Sequence, residues 1–131
     1  MTLQFGTTQR SAMADVLVTA AAGGSVKLFS GSVPANCAAA DPAGLLASGT
    51  LPSPALTNTS GTLSKAGTWA FTGSAAGTVA SFRLYTSGAV CFCQGTVTAS
   101  GGGGDMTIDN TVIASGQGGT VNTVSVVVGG A

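Results

Sequence analysis

Residues 78–99 read TVASFRLYTSGAVCFCQGTVTA, and their spacing decides the fold class. Over Thr78–Thr86, Ala80, Phe82 and Leu84 alternate with Val79, Ser81, Arg83 and Tyr85, a period of two that predicts a strand. Ser87 and Gly88 supply a tight turn, and Ala89–Ala99 returns as a second strand, so the segment is expected to form a β-hairpin. Gly95, in the middle of the returning strand, predicts a bulge or a change of face.

Working outward, Ser25–Ser30 reads as a strand with Val26 and Leu28 on one side and Lys27 and Phe29 on the other. Pro34, Asn36, Asp41 and Pro42 make residues 31–44 a loop. Leu45–Leu51 is a short strand that Pro52 and Pro54 end, since proline cannot donate to a ladder. After a polar stretch, Thr68–Thr72 sets Trp69 and Phe71 on a common face. Beyond Gly101–Gly104, Met106 and Ile108 share a strand face, Asn110–Ile113 continues it, and Gly116–Gly119 forms another turn. The last strand, Thr120–Val128, carries valine on both faces, which predicts burial on both sides or an edge awaiting a partner chain. The helix is expected near residues 9–22, with Thr7, Thr8 or Ser11 as N-cap, an apolar stripe of Met13, Val16, Leu17 and Ala20, and Gly23 and Gly24 to stop it.

These elements predict a mainly β chain: an antiparallel β-sandwich or flattened barrel of roughly six to eight strands with one short N-terminal helix. A length of 131 residues fits one domain over residues 9–131, preceded by an arm over residues 1–8 that holds Phe5. No repeat of fixed period points to a solenoid.

Composition narrows what such a domain does. Four Lys or Arg and four Asp, with no His and no Glu, make up 6% of the chain, against about 25% in ordinary domains. The formal net charge is zero, which leaves little repulsion between copies and predicts self-association or burial in an assembly. Arg10, Lys27, Lys65 and Arg83 are scattered, which argues against a nucleic-acid partner. No apolar run reaches the ~20 residues that span a bilayer, and the N-terminus shows no signal-peptide pattern, so synthesis in the cytoplasm and no membrane partner are expected. Cys91 and Cys93, one residue apart, share a strand face where a disulfide between them would be strained. All three cysteines, with Cys37, read as buried reduced thiols.

Chemistry has few candidates. Asp15 belongs to the outer helix face and Asp41 to a turn. Asp105 and Asp109, on one strand face and followed by Asn110, have the oxygen ligands for a hard cation such as Ca²⁺, but not the spacing of a recognised loop, and solvated turn residues are the adopted reading. Serine lacks a histidine base, and Lys27 and Lys65 lie in no catalytic motif. Gly101–Gly104 is not followed by Gly-Lys-Ser or Gly-Lys-Thr. Trp69, Tyr85 and the phenylalanines alternate like core residues. No catalytic, cofactor or metal site is assigned, and no enzyme activity is expected.

Thr8–Leu17 (TQRSAMADVL) followed by Ser25–Asn36 (SVKLFSGSVPAN) resembles the start of a family of small virion structural proteins of tailed bacteriophages and prophages. Ala80–Val90 (ASFRLYTSGAV) resembles that family's strand, turn and strand, and Asp105–Gln117 (DMTIDNTVIASGQ) its closing hairpin before a valine-rich strand. The chain departs from the pattern between Pro54 and Trp69 and at Cys91 and Cys93. The resemblance implies a capsid decoration or cement protein on the outer head surface of the virion, assembled in the host cytoplasm. Its implied partners are the major capsid protein or other virion proteins and copies of itself, as in a trimer. A tail component (tube, tip or fibre-attachment protein) and a glycan- or receptor-binding module are the alternatives. Residues 1–8 and the strand near Val121–Val128 are the expected contact segments.

Overall fold

The computed structural model describes residues 3–127. One helix, α1 (Thr7–Ala21), precedes eleven strands: β1 (Ser25–Phe29), β2 (Leu45–Thr50), β3 (Leu56–Thr59), β4 (Thr62–Lys65), β5 (Ala70–Gly73), β6 (Gly77–Thr78), β7 (Ser81–Tyr85), β8 (Cys91–Ala99), β9 (Met106–Ile108), β10 (Val112–Ile113) and β11 (Gly118–Val127). Seven of them close into a barrel in the order β11-β5-β2-β1-β7-β8-β9, with β9 pairing back onto β11. The expected mainly β fold with one N-terminal helix is present. Closure replaces the two facing sheets of a sandwich with one continuous wall, and β8 and β9 run parallel, so the all-antiparallel expectation fails at that pair. A closed wall leaves no edge in the circuit.

The period-two segments line the interior. Val26 and Leu28 of β1, Phe82 and Leu84 of β7, Phe71 of β5, Met106 and Ile108 of β9, and Val121 and Val124 of β11 are all buried. Val121 and Val124 are an odd number of residues apart, and both reach the core because the β11–β9 register shifts between Val121 and Thr123. The extra residue, Asn122, turns outward and donates to Ser100 Oγ (2.8 Å) and Asp109 Oδ1 (2.5 Å). The last strand is paired along its length, by β5, β9 and β4 in succession from Gly118 to Val127, with one strand partner at each stretch. Val128 lies outside the described residues.

The β7–β8 hairpin forms as expected, with Ala89 rather than Gly88 in the left-handed conformation (φ 64°). Its bulge is displaced from the expected position. Leu84 faces Cys93 while Tyr85 faces Cys91, so Phe92 is the additional residue and Gly95 stays in register opposite Phe82. A Cβ at Gly95 would run into the Phe82 ring and the Asp105 carboxylate. That glycine serves close approach, not a change of face. Thr78–Thr86 is two strands instead of one, since the chain switches partner from β10 to β1 at Val79 and Ala80.

The polar stretch after Pro54 is a second hairpin, β3–β4. Ser60 and Gly61 both have positive φ (52° and 90°), the pattern of a two-residue type I′ turn. Asn58 fastens this hairpin to the helix, accepting from Gly61 N–H (3.0 Å) and donating to Ser11 O (2.9 Å) and Asp15 Oδ1 (2.8 Å). Helix α1 is capped at Gly6, whose carbonyl accepts from Arg10 N–H (3.0 Å), with no side-chain cap from Thr7, Thr8 or Ser11. Gly23 (φ 69°) ends it as expected. The expected stripe is borne out only in part: Leu17 packs inward and Ala20 is half-buried. Ala14 and Ala21 are fully buried, Leu17 and Val18 pack against the core, and Met13 and Val16 point to solvent. The helix packs against β3 and β4, and the fully buried residues on it are the small Ala14 and Ala21.

Trp69, fully buried, joins the hairpin root to the barrel: its indole Nε1 donates to Ala55 O (3.0 Å) and Ala66 O (3.2 Å). Trp69→Phe keeps most of the apolar bulk but removes both bonds, leaving Ala55 O with the Ala66 N–H (2.8 Å) and Ala66 O without its indole donor. It is expected to lower stability by about 1–3 kcal/mol, read as a reduced urea midpoint with an unchanged m-value.

Candidate functional site

All five side chains of β7 are buried, although a barrel strand has only one inward face. The other face, Ser81, Arg83 and Tyr85, is covered by the loop of residues 30–44. Arg83 organises the cover. Its side chain is 2% exposed, and burial of a guanidinium demands that its donors be matched. Nη1 donates to Ala39 O (3.0 Å) and Asp41 Oδ1 (2.9 Å), Nη2 to Asn36 O (3.1 Å), and Nε to Gln94 Oε1 (3.1 Å). Gln94 Nε2 in turn donates to Pro34 O (2.8 Å), and Ser81 Oγ to Gly31 O (2.6 Å). Loop carbonyls at residues 31, 34, 36 and 39 are thus held from the barrel wall. Among the described residues only Asn36 O of these carbonyls also takes a backbone N–H, that of Ala39 (3.1 Å), and the three side chains supply the donors that a strand or helix would otherwise give.

Asp41 and Tyr85 close the cluster. The phenolic OH donates to Asp41 Oδ1 (2.5 Å), and Lys27 Nζ stands 4.8 Å from the centre of the Tyr85 ring. The hydrogen bond from Tyr85, aided by Arg83 and Lys27, holds the Asp41 carboxyl below its ordinary value. Burial pushes Tyr85 up to about 12, and the hydrogen bond to Asp41 adds to the rise. A proton stays on the phenol because a phenolate there would lose water and meet a carboxylate.

A disulfide between Cys37 and Cys91, with Cα atoms 5.4 Å apart, is the covalent fastening of the same loop. It overturns the reading of three reduced thiols. The bulge at Phe92 is the reason: it places Cys91 across from the outward Tyr85 and Cys93 across from the inward Leu84, so the two no longer share a face. Cys93 is free and half-buried, and burial raises its thiol pKa. In the chain-entropy model a loop closed over a 54-residue separation is worth about 4 kcal/mol.

The structure does not bring the sequence's candidate chemistry together. Asp105 accepts from Thr96 N–H (3.0 Å) and Thr96 Oγ1 (3.2 Å), whereas Asp109 accepts from Asn122. Asp15 accepts from Asn58 and Asp41 from Arg83 and Tyr85, so each of the four carboxylates holds one part of the chain to another. Lys65 donates to Gly67 O (2.7 Å). Among the described residues no group of three or more His, Cys or Asp side chains is arranged to hold a metal ion, and no helix is long and apolar enough to cross a membrane. Trp69, Tyr85, Phe29, Phe71 and Phe82 are buried. Phe5 is not.

What the surface does offer is apolar. Leu3 (62% exposed) and Phe5 (46%) lie in the arm, and Met13 (39%) and Val16 (66%) follow on α1. The expected arm over residues 1–8 ends earlier, because α1 begins at Thr7; residues 1 and 2 lie outside the described part. Sequence reading placed Met13 and Val16 in the core because a helix of small residues has apolar side chains on more than one face. Comparison with protein-family models, with curated proteins and with solved structures found no match to this chain.

Since the chain has one tyrosine, phenolate absorbance reports on Tyr85 alone. The folded protein should titrate near pH 12, and Asp41→Asn should lower the midpoint without bringing it to the ordinary value of about 10, because burial remains. The raised pKa stabilises the fold fully below about pH 10, and that contribution disappears as pH rises through about 12. Asp41 acts in the opposite direction, contributing above the unfolded carboxyl value of about 4 and losing its contribution as acid protonates it.

Proposed function

We propose that this chain is a structural protein of a bacteriophage particle, most specifically a capsid decoration or cement protein that binds the outer head surface and works by contact with neighbouring subunits. The observation that carries the reading is the exposure of Leu3 and Phe5 in the arm and of Met13 and Val16, three residues apart on α1, on an otherwise neutral, tightly tethered domain. Large apolar side chains grouped on a surface mark interaction sites, and zero net charge permits copies to crowd together. The likeness of Thr8–Leu17, Ala80–Val90 and Asp105–Gln117 to phage virion proteins supports the same reading. So does the engagement of all four carboxylates and Arg83 in holding the fold, which commits those groups to structure. Small contacts repeated over a shell reach useful strength through effective concentration.

In this reading the arm and the outer face of α1 form the contact surface. The test is cryo-electron microscopy of particles carrying the wild-type chain, a chain lacking residues 1–6, or Val16→Asp. Density over the head that falls at least tenfold in occupancy in both variants, with the isolated variants still folded, is the expected result. Density confined to the tail would replace decoration by a tail role, and unchanged occupancy in both variants would rule out this surface.

A further inference from the structure

The barrel closes through the shortest strand of its circuit. β9 has three residues, Met106–Ile108, and lies between β8, which it meets at Val97–Ala99, and β11, which it meets from Val121 to Val124. Both neighbours run past its start. β8 reaches back to Cys91 with β7 on its other side, and β11 continues to Val127 with β4 on its other side. The registers place β4 opposite β9: Thr120 faces Ala70, Val121 N–H donates to Trp69 O, and Ser125 faces Ser64, so β5 and β4 lie in line along one side of β11. Paired strands stand about 4.8 Å apart, so β8 and β11 are separated by roughly 10 Å where β9 ends, the width of one missing strand. A cavity of about 230 Å³ lies in that slot, with Cys93 and Gln94 on one wall, Ser125, Val126 and Val127 on the other, and Asp105 at the end where β9 begins.

Two further observations mark a place where a strand is lacking. The inward residues of β8 and β11 are buried at Gly95, Val97, Val121 and Val124, but only partly buried at Cys93 and Val126, which line the slot. The backbone is open there too. Val97 N–H donates to Ala80 O, toward β7, and the preceding amide, Thr96 N–H, is taken by the Asp105 carboxylate (3.0 Å) instead of by a strand. Among the described residues no strand pairs with β8 at residues 91–95, or with β11 at residues 125–127, on the slot side.

We propose that this slot receives the N-terminal arm of a second copy of the chain, Leu3–Gly6, as an added strand. Strand addition takes its affinity from main-chain hydrogen bonds and its specificity from alternate side chains. The arm suits both. Leu3, Gln4 and Phe5 alternate apolar and polar, so an extended arm puts Leu3 and Phe5 on one face, the face that Cys93 and Val126 leave incompletely covered. No residue from 3 to 6 is charged, and the arm belongs to no helix or strand of its own chain. Leu3 and Phe5 are exposed, so docking them buries apolar surface without dismantling an existing element. Each copy offers one arm and one slot, a heterologous contact that joins copies head to tail. The inference concerns contact between copies and stands apart from the proposed place on the head, because its readout is the isolated chain.

The test uses the full chain with its arm disabled and its slot intact, Leu3→Asp/Phe5→Asp. This double variant, ¹⁵N-labelled, is mixed with unlabelled wild type up to about 1 mM, above a Kd on the order of 0.1 mM for so small a contact. The proposal expects saturable NMR shifts at the amides of residues 93–96 and 125–127 of the labelled chain, and none when unlabelled double variant replaces the wild type. Adding Val126→Asp to the labelled chain should weaken binding at least tenfold, with the melting temperature as the control for fold. Sedimentation velocity needs no slot variant: the average mass of the wild type should rise with concentration while the double variant stays monomeric. Absence of saturable shifts, shifts centred on other residues, affinity unchanged by Val126→Asp, or equal association of wild type and double variant would overturn it. Slot amides that differ between wild type and double variant equally at every concentration would assign the slot to the chain's own arm, which would also overturn it.

Discussion

The burial of one guanidinium governs the rest of this structure. Arg83 sits on the outward face of a barrel strand, at a position that would ordinarily face water, and is 2% exposed. A cation cannot be left there without partners, for the cost would be several kcal/mol. The loop of residues 30–44 provides two backbone carbonyls and a carboxylate, and β8 provides Gln94. Asp41, with 45% of its side chain exposed, contributes a modest Coulombic term. The dipoles of the carbonyls and the amide do the larger part of the matching. In return the loop, which has almost no regular structure of its own, acquires a defined path. That path carries Cys37 to Cys91 and Asp41 to Tyr85.

Two irregularities in the barrel wall complete the arrangement. At Phe92 the extra residue sends Cys91 outward to the loop and leaves Cys93 facing in. At Asn122 the extra residue keeps Val121 and Val124 together in the core and frees a side chain to hold Asp109 and Ser100. A bulge of this kind twists a strand as well as changing its face, which suits a wall that must curve round to pair β9 with β11.

Much of this was legible in the sequence. Period-two alternation marked the strands around Val26 and Leu28, around Phe82 and Leu84, and around Met106 and Ile108. Gly23 marked the helix end, and the prolines and Asn36 marked the loop. Other features left a weaker trace or none. Hairpin β3–β4 is mostly Thr, Ser and Asn, with a Ser-Gly turn as its signal and no strong alternation. Closure of the barrel and the parallel β8–β9 pair depend on contacts distant in sequence. The disulfide was hidden by the one-residue spacing of Cys91 and Cys93, because strict alternation assigns them one face and only the bulge separates them. On the helix, Ala14 and Ala21 rather than Met13 and Val16 are the fully buried residues. That choice moves part of the apolar stripe outward and turns Met13 and Val16 from a predicted core into an exposed surface.

If the outer loop depends on Arg83, removing the guanidinium should release the loop and leave the barrel standing. Amide hydrogen exchange of Arg83→Met under reducing conditions, with the disulfide open in variant and wild type alike, isolates that dependence. The account predicts that amides in residues 31–44 exchange about a hundredfold faster, as expected for the loss of roughly 3 kcal/mol at a buried hydrogen-bonded charge. Amides of Leu28, Leu84 and Val124 should keep their order of protection. Loop amides that exchange no faster in the variant than in the wild type would contradict it.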